Sequence, residues 1–232
     1  MIEVEICCNS VASACAAKEG GAGRIELCRD LECGGLTPSD EDIEYCVREL
    51  GLRTHVLVRP RGGDFCYNDA EVDVIMATIR RCRKLGAHAV VVGFLIADGR
   101  VDEALTRRAV EAAEGMEVTF HRAFDEARQA PLEAIEAIEG CGCTRLLTSG
   151  QAPTAVEGAE VIRQLVAAGS KVTILAGSGV TPANARELVE RTGVREVHGS
   201  CKTVMPDGTM QTDPVQVRQL LKAVAVRQTD VV

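Results

Sequence analysis

The chain has 232 residues, of which 46% are apolar, and it carries a formal net charge of −8. That length allows one large domain or two small ones with a substantial core, and the ordinary charged fraction excludes an intrinsically disordered chain. The acidic balance argues against a nucleic-acid partner, because a phosphate backbone is bound by a basic surface. Acidic first residues and no apolar run of about 20 residues predict a cytoplasmic protein without signal peptide or membrane contact.

Eight short segments rich in β-branched and other apolar residues recur at near-equal spacing. Such segments are typical of strands that are buried on both faces of a parallel sheet. The predicted strands, in chain order, cover residues 2–7, 24–28, 54–60, 89–95, 117–122, 144–149, 171–177 and 195–200.

The intervening segments are rich in Ala, Glu, Leu and Arg, which is the composition of helices. Thr181 and Pro182 are expected to be the N-cap and first residue of one helix. The clearest predicted helices are 10–20, 71–86, 182–193 and, last in the chain, 213–226. Glycines expected to end helices are Gly20, Gly86 and Gly193.

Eight strand–helix units without a linker predict an α/β fold, a (β/α)8 TIM barrel forming a single domain over residues 1–232. An open, doubly wound sheet is the alternative. A dinucleotide-binding sheet of that kind has G-x-G-x-x-G after its first strand, where this chain has Asn9 and Ser10. The count of eight therefore favours the barrel.

Side chains of a barrel strand alternate between the helix layer and the barrel interior. The apolar residues fit the helix layer, so the residues between them point inward. Five strands thereby direct an ionisable group inward near their C-terminal ends: Glu5, Glu26, Arg59, His121 and His198. Active sites of this fold lie at that end. The alternative is a salt-bridge network that closes the barrel floor, in which Arg59 pairs with Glu5 and Glu26, since buried charges must be paired.

Three segments at the same end have the composition of an anion site: TSG (148–150), LAGSGVT (175–181) and HGSCK (198–202), which follow strands 6, 7 and 8. Arg59, Arg61 and Arg122 offer planar guanidinium groups that suit carboxylate or phosphate. The loops after strands 6 and 7 add hydroxyls and closely approachable backbone N–H groups, from Thr148, Ser149, Gly177, Ser178 and Gly179. The glycines alone are equally consistent with a tight turn.

Acid–base chemistry is the role predicted for His121 and His198, with Glu5, Glu26 or Asp125 as orienting partner or second base. The alternative for each histidine is a hydrogen-bonded core residue.

The odd number of cysteines, eleven, in a chain of this length without an expected signal peptide predicts reduced thiols. The sequence contains no CxxC pair, so a structural zinc site is not expected. Cys7 and Cys28 end neighbouring strands with the same inward parity, where two thiolates can hold a soft cuprous ion. Simple packing is the alternative, because free cysteine is often buried as a small hydrophobe. Cys33, Cys66 and Cys201 are expected near the same rim.

The chain resembles the CutC copper homeostasis proteins. The resemblance runs from residue 2 to about residue 203 and is carried by the motifs RIELC (24–28), GGLTPS (34–39), RPRGGDF (59–65), VTFHRAFD (118–125), LTSG (147–150) and GSGVT (177–181). It implies a TIM-type barrel, a cytoplasmic location and a homo-oligomer, with a dimer favoured. It also implies Cu(I) ligation by Cys7 and Cys28.

Two functions remain open on the sequence. One is copper homeostasis with Cu(I) as ligand; the other is an enzyme that acts on a small anionic or phosphorylated metabolite through an arginine clamp and His/Glu proton transfer. No organic cofactor is expected for either.

Overall fold

The computed structural model describes residues 2–205 and 208–225. Eight parallel strands close into a barrel in sequence order, β1 pairing with both β2 and β8. The strands are β1 (Glu3–Cys8), β2 (Arg24–Leu27), β3 (Arg53–Leu57), β4 (Ala89–Val92), β5 (Glu117–Phe120), β6 (Arg145–Thr148), β7 (Thr173–Ala176) and β8 (Glu196–Gly199). All eight predicted strands are present, and the predicted TIM-barrel fold is confirmed.

Helices follow the strands and cover the outside of the barrel. They are α1 (Val11–Glu19), α2 (Asp40–Glu44), α3 (Asp69–Leu85), α4 (Glu103–Ala113), α5 (Pro131–Gly140), α6 (Ala159–Ala167), α7 (Ala185–Thr192) and α8 (Pro214–Ala225). Residue 226, the last of the predicted final helix, lies outside the described residues. A short antiparallel pair, β9 (Lys202–Val204) and β10 (Met210–Thr212), follows β8.

Helix ends follow local chemistry. Gly20, Gly86 and Gly193 are the C-caps of α1, α3 and α7, as predicted. The predicted start of α7 at Thr181 and Pro182 is wrong, because Asn184 is the N-cap. The Asn184 side chain accepts a hydrogen bond from the Thr181 N–H and donates one to the Gly179 carbonyl, which holds residues 179–184 in a turn before the helix.

Strand parity divides the barrel into two apolar layers. Residues such as Ile6, Ile25 and Val56 belong to the large core between strands and helices. The inward residues Cys7, Cys28, Leu57 and Val91 form a separate small cluster inside the barrel. The inward direction predicted for the two cysteines is therefore confirmed.

Within the described ranges, no helix is both long and apolar enough to span a bilayer.

Candidate functional site

A cavity of about 760 Å³ opens at the C-terminal end of the barrel. Its walls come from strand ends and from the loops that follow them, which is where this fold builds its sites. The predicted site residues that line it are Cys7, Glu26, Arg59, His121, Arg122, Asp125, Ser178, Gly179 and His198. The lining does not include Glu5, Cys28, Arg61, Thr148, Ser149 or Gly177.

Glu5 lies beneath the cavity and joins it to the barrel floor. One carboxylate oxygen of Glu5 is 2.9 Å from His198 Nδ1, and the other is 2.8 Å from His55 Nδ1 and 2.9 Å from Arg24 Nε. Burial opposes ionisation of Glu5, but hydrogen bonding to His198 and His55 holds its pKa well below the usual value. Burial likewise disfavours a charged His198, yet contact with Cys7 and Glu5 raises its pKa well above normal. The two groups form an ion pair.

Below Glu5, a network of ion pairs fills the N-terminal half of the barrel. Arg24 Nη2 lies 2.5 Å from Glu196, and Arg145 bridges Glu196 at 2.7 Å and Glu117 at 2.9 Å. A floor network is therefore present beneath the cavity, but it is formed mainly by other residues: among the described residues, neither Arg59 nor Glu26 makes an ion pair in it. Sequence reasoning missed its members Arg24, His55, Arg145 and Glu196, although each stands two residues before an inward position.

Cys7 and Cys28 face each other across β1 and β2. Their sulfur atoms are 3.9 Å apart, and Cys7 Sγ is also 3.9 Å from a Glu26 carboxyl oxygen. Cys7 borders the cavity while Cys28, which is 1% exposed, lies behind it. Hydrogen bonding to Cys28 and burial together raise the pKa of the Cys7 thiol well above normal.

Ligand atoms of Cys7, Glu26 and His198 lie within 4.8 Å of one another, so three different donor types converge on one point. Burial raises the pKa of Glu26 to about 7, and its Oε2 atom has no hydrogen-bond partner among the residues described. Because His198 is paired with Glu5, the soft donors at this point are the sulfur atoms of Cys7 and its neighbour Cys28, and thiolates favour soft ions such as Cu(I). The residues present therefore fit a copper ion.

His121 follows β5 and contacts the ring of Phe65, with ring centroids 4.9 Å apart. Its Nδ1 atom accepts a hydrogen bond from the Ala123 N–H at 3.1 Å. Burial, aided by Arg59, lowers the pKa of His121 to about 3, so the ring is neutral at physiological pH. Gly93 after β4 makes room for this ring, since a Cβ there would lie 2.3 Å from it.

Arg59 is buried, as predicted, but its partners differ from those expected. Its Nη1 atom donates to the carbonyl oxygens of Cys33 at 2.9 Å and Gly35 at 3.3 Å, and Nη2 donates to that of Gly63 at 2.6 Å. Loop carbonyls thus replace the pairing with Glu5 or Glu26 that parity suggested. Strand parity cannot predict such contacts, because they depend on how two loops fold.

Arg61 lies outside the cavity lining, where it organises its own loop. It bonds Glu71 at 2.6 Å and Asp64 at 3.0 Å, and its guanidinium lies 5.1 Å from the centre of the Tyr67 ring. Arg122 lies at the cavity rim with its side chain about half exposed, and donates to Asp125 and Ser149.

Asp125 ties the loop after β5 to the loop after β6. Its carboxylate accepts hydrogen bonds from the Ser149 N–H and the Gln151 N–H, and from the hydroxyl of Thr148. Asp125 thus lines the cavity, while Thr148 and Ser149 hold its carboxylate from behind the cavity wall.

The loop after β7 contributes Ser178 and Gly179, both with left-handed backbone (φ 78° and 72°). Gly177 lies beside His198 and Leu147. A Cβ at Gly177 would be 3.2 Å from His198 Cβ and 2.5 Å from Leu147, so this position has no room for a larger residue. Of the other cysteines expected at the rim, Cys33 and Cys201 line the cavity and Cys66 does not.

Comparison with known proteins gives a consistent result. The family model described as the CutC family matches residues 2–203. A CutC family protein of Chromobacterium violaceum is 46% identical over 86% of this chain and 81% of its own length, and one of Bacteroides fragilis is 44% identical over 88% and 82%. The crystal structure of the protein CutC from Streptococcus agalactiae superposes with a TM-score of 0.82 at 31% identity, covering 86% of this chain and 99% of that one.

Proposed function

Because the chain belongs to the CutC family, we propose that it serves copper homeostasis by binding Cu(I) between Cys7 and Cys28. The observation that carries this proposal is the 3.9 Å separation of the two sulfur atoms. Metal–thiolate bonds of about 2.3 Å, the length known for zinc, span at most about 4.6 Å between two sulfurs. Both thiols therefore reach one ion without movement of the strands.

Location and chemistry support the same site. Cys7 borders the cavity and provides access, whereas Cys28 is shielded. Soft thiolate ligands select Cu(I) over the harder divalent ions that carboxylates and carbonyls prefer. His198 is paired with Glu5, which leaves the two sulfurs as the donors that copper binding uses first.

An anaerobic Cu(I) titration against a bicinchoninate competitor tests the proposal. Cys28→Ser is expected to weaken Cu(I) affinity by more than about 100-fold, since loss of even an outer partner of a metal ligand typically costs 10- to 100-fold. Cys33→Ser is the matched control, because Cys33 is an exposed thiol on the same cavity. Equal affinity in wild type, Cys28→Ser and Cys33→Ser overturns the site.

The size of the cavity favours a second candidate function, an enzyme that acts on a small anionic or phosphorylated metabolite. A volume of about 760 Å³ falls within the range of organic-ligand sites and far exceeds the space one metal ion needs. In this function Arg59 and Arg122 bind the anion, His121 and Glu26 move protons, and Glu5 and Asp125 hold their neighbours in place.

A thermal-shift screen of anionic metabolites tests this second function. A ligand present at about 100 times its dissociation constant stabilises the folded state by roughly 2.7 kcal/mol. The expected result is a metabolite that raises the melting temperature of wild type but not of Arg59→Ala. The same shift in both proteins, or in neither, contradicts the function.

We also expect a homodimer in the cytoplasm, following the family resemblance. Light scattering that gives twice the chain mass of 24.7 kDa supports the dimer, and a mass of 24.7 kDa excludes it.

A further inference from the structure

Arg59 is a buried cation that makes no ion pair with a carboxylate among residues 2–205 and 208–225. The residue is 5% exposed, and its two terminal nitrogens donate to loop carbonyl oxygens. Its Nε atom has no hydrogen-bond partner within the part of the chain that the structure describes. A buried charge without a counter-charge is unfavourable, so this arrangement is suited to an anion supplied from outside.

A second unpartnered donor belongs to His121. Its Nδ1 atom accepts from the Ala123 N–H, so the proton of the neutral ring is on Nε2. Nε2 is buried and has no partner among the described residues. His121 is therefore placed to donate a hydrogen bond to a ligand.

Both donors contact the same aromatic ring, that of Phe65. The guanidinium carbon of Arg59 lies 4.8 Å from the centre of the Phe65 ring, and the imidazole of His121 lies 4.9 Å from it. All three residues line the cavity, together with the apolar side chains of Leu31 and Leu57. A charged donor, a neutral donor and apolar side chains thus border the same part of the cavity, beside Phe65.

We propose that this place is a subsite for the carboxylate of a small organic acid, held by Arg59 Nε and His121 Nε2. One positive charge and one neutral donor match a monoanion better than a phosphate dianion, and the apolar walls accommodate a short carbon chain. The proposal deepens the second candidate function by naming its substrate class, and it does not depend on copper.

Isobutyrate and its neutral isostere isobutyramide are the probes, followed by ¹H–¹⁵N NMR of the histidine side chains. Isobutyrate is expected to shift the His121 Nε2–H resonance saturably, whereas isobutyramide at the same concentration leaves it in place. His88, an exposed histidine before β4 at the other end of the barrel, is the internal control. Equal shifts with both probes, or no saturable shift with either, overturn the proposal.

Two substitutions at His121 separate the donor from the fold. His121→Asn keeps an oxygen near the Nδ1 position that caps Ala123 but removes the distal N–H, and is expected to weaken isobutyrate about tenfold, the typical loss of one hydrogen bond to a charged group. His121→Gln supplies a distal N–H and is expected to recover part of the affinity. If His121→Asn binds isobutyrate as tightly as wild type does, His121 Nε2 is not a donor to the carboxylate.

Further arms distinguish the possible failures. Methyl phosphate that binds where isobutyrate does not overturns the carboxylate assignment in favour of a phosphate group. Cys28→Ser is expected to bind isobutyrate like wild type, since its thiol lies outside the cavity lining. If Cys28→Ser loses Cu(I) binding but still binds isobutyrate, the copper site and the subsite are independent and the subsite stands. If wild type binds Cu(I) but not isobutyrate, the subsite alone is overturned.

Discussion

Burial determines the protonation state of Glu26, and through it the effect of this residue on stability. Burial raises its pKa to about 7, from an ordinary value of 4.5. Between those values the folded protein holds a proton that the unfolded chain releases. The free energy of unfolding therefore falls as pH rises from about 4.5 to 7, and Glu26 destabilises the fold at and above neutral pH.

Glu26→Gln is expected to stabilise the protein at pH 8 by on the order of 3 kcal/mol, while changing little near pH 4. Urea unfolding at both pH values measures this difference. Glu32→Gln, which alters an exposed acid in the short turn after β2, provides the matched control. A stabilisation of the same size at both pH values contradicts a buried, protonated Glu26.

Strand β2 is joined to other strands by buried ion pairs. Arg24 links it to β1 through Glu5 and to β8 through Glu196. Arg24→Met leaves both acids with fewer partners in the barrel interior. Removal of one member of a buried ion network typically costs 3–5 kcal/mol, so we expect a loss of about that size in urea unfolding.

Arg53→Met is the matched control for Arg24→Met, since Arg53 pairs with Glu117 at the partly exposed end of β3. We expect a loss of less than about 1 kcal/mol there, as for other exposed pairs. Similar losses in the two variants mean that the interior network does not hold the strands together.

The strands also show which features the sequence could predict. Period-two alternation placed Cys7, Glu26 and His198 inside the barrel correctly, because each strand is short, regular and apolar on one face. The same rule applied two residues earlier finds Arg24 and Glu196. Loops follow no such period, so the contacts of Arg59 with carbonyl oxygens and the start of α7 after Asn184 could not be deduced.

At the scale of the whole molecule, several buried groups act together on acid stability. The pKa values of Glu5, Glu117 and Glu196 are held below their usual value of 4.5, against burial, by partners that include His198, Arg145 and Arg24. Each stabilises the fold above its unfolded pKa and loses that contribution as pH falls through the folded value. The pKa of His121 is lowered to about 3, so the neutral ring also makes the free energy of unfolding fall as pH falls below about 6.5.

Glu26 opposes His121 between pH 4.5 and 6.5, so we expect a shallow change in melting temperature there and a steep fall below about pH 4.5. Calorimetry across this range measures the profile. Glu117→Gln is expected to reduce the steepness below pH 4.5. If the melting temperature of Glu117→Gln falls as steeply as that of wild type, the acids of the floor network do not cause the loss of stability at low pH.

Copper K-edge X-ray absorption of the anaerobically loaded protein tests the central claim, that Cys7 and Cys28 together hold Cu(I). The account predicts two sulfur neighbours at about 2.2–2.3 Å from the metal, close to the lengths of other metal–thiolate bonds, and fewer in Cys28→Ser. A spectrum dominated by nitrogen or oxygen neighbours, or one that Cys28→Ser leaves unchanged, contradicts it.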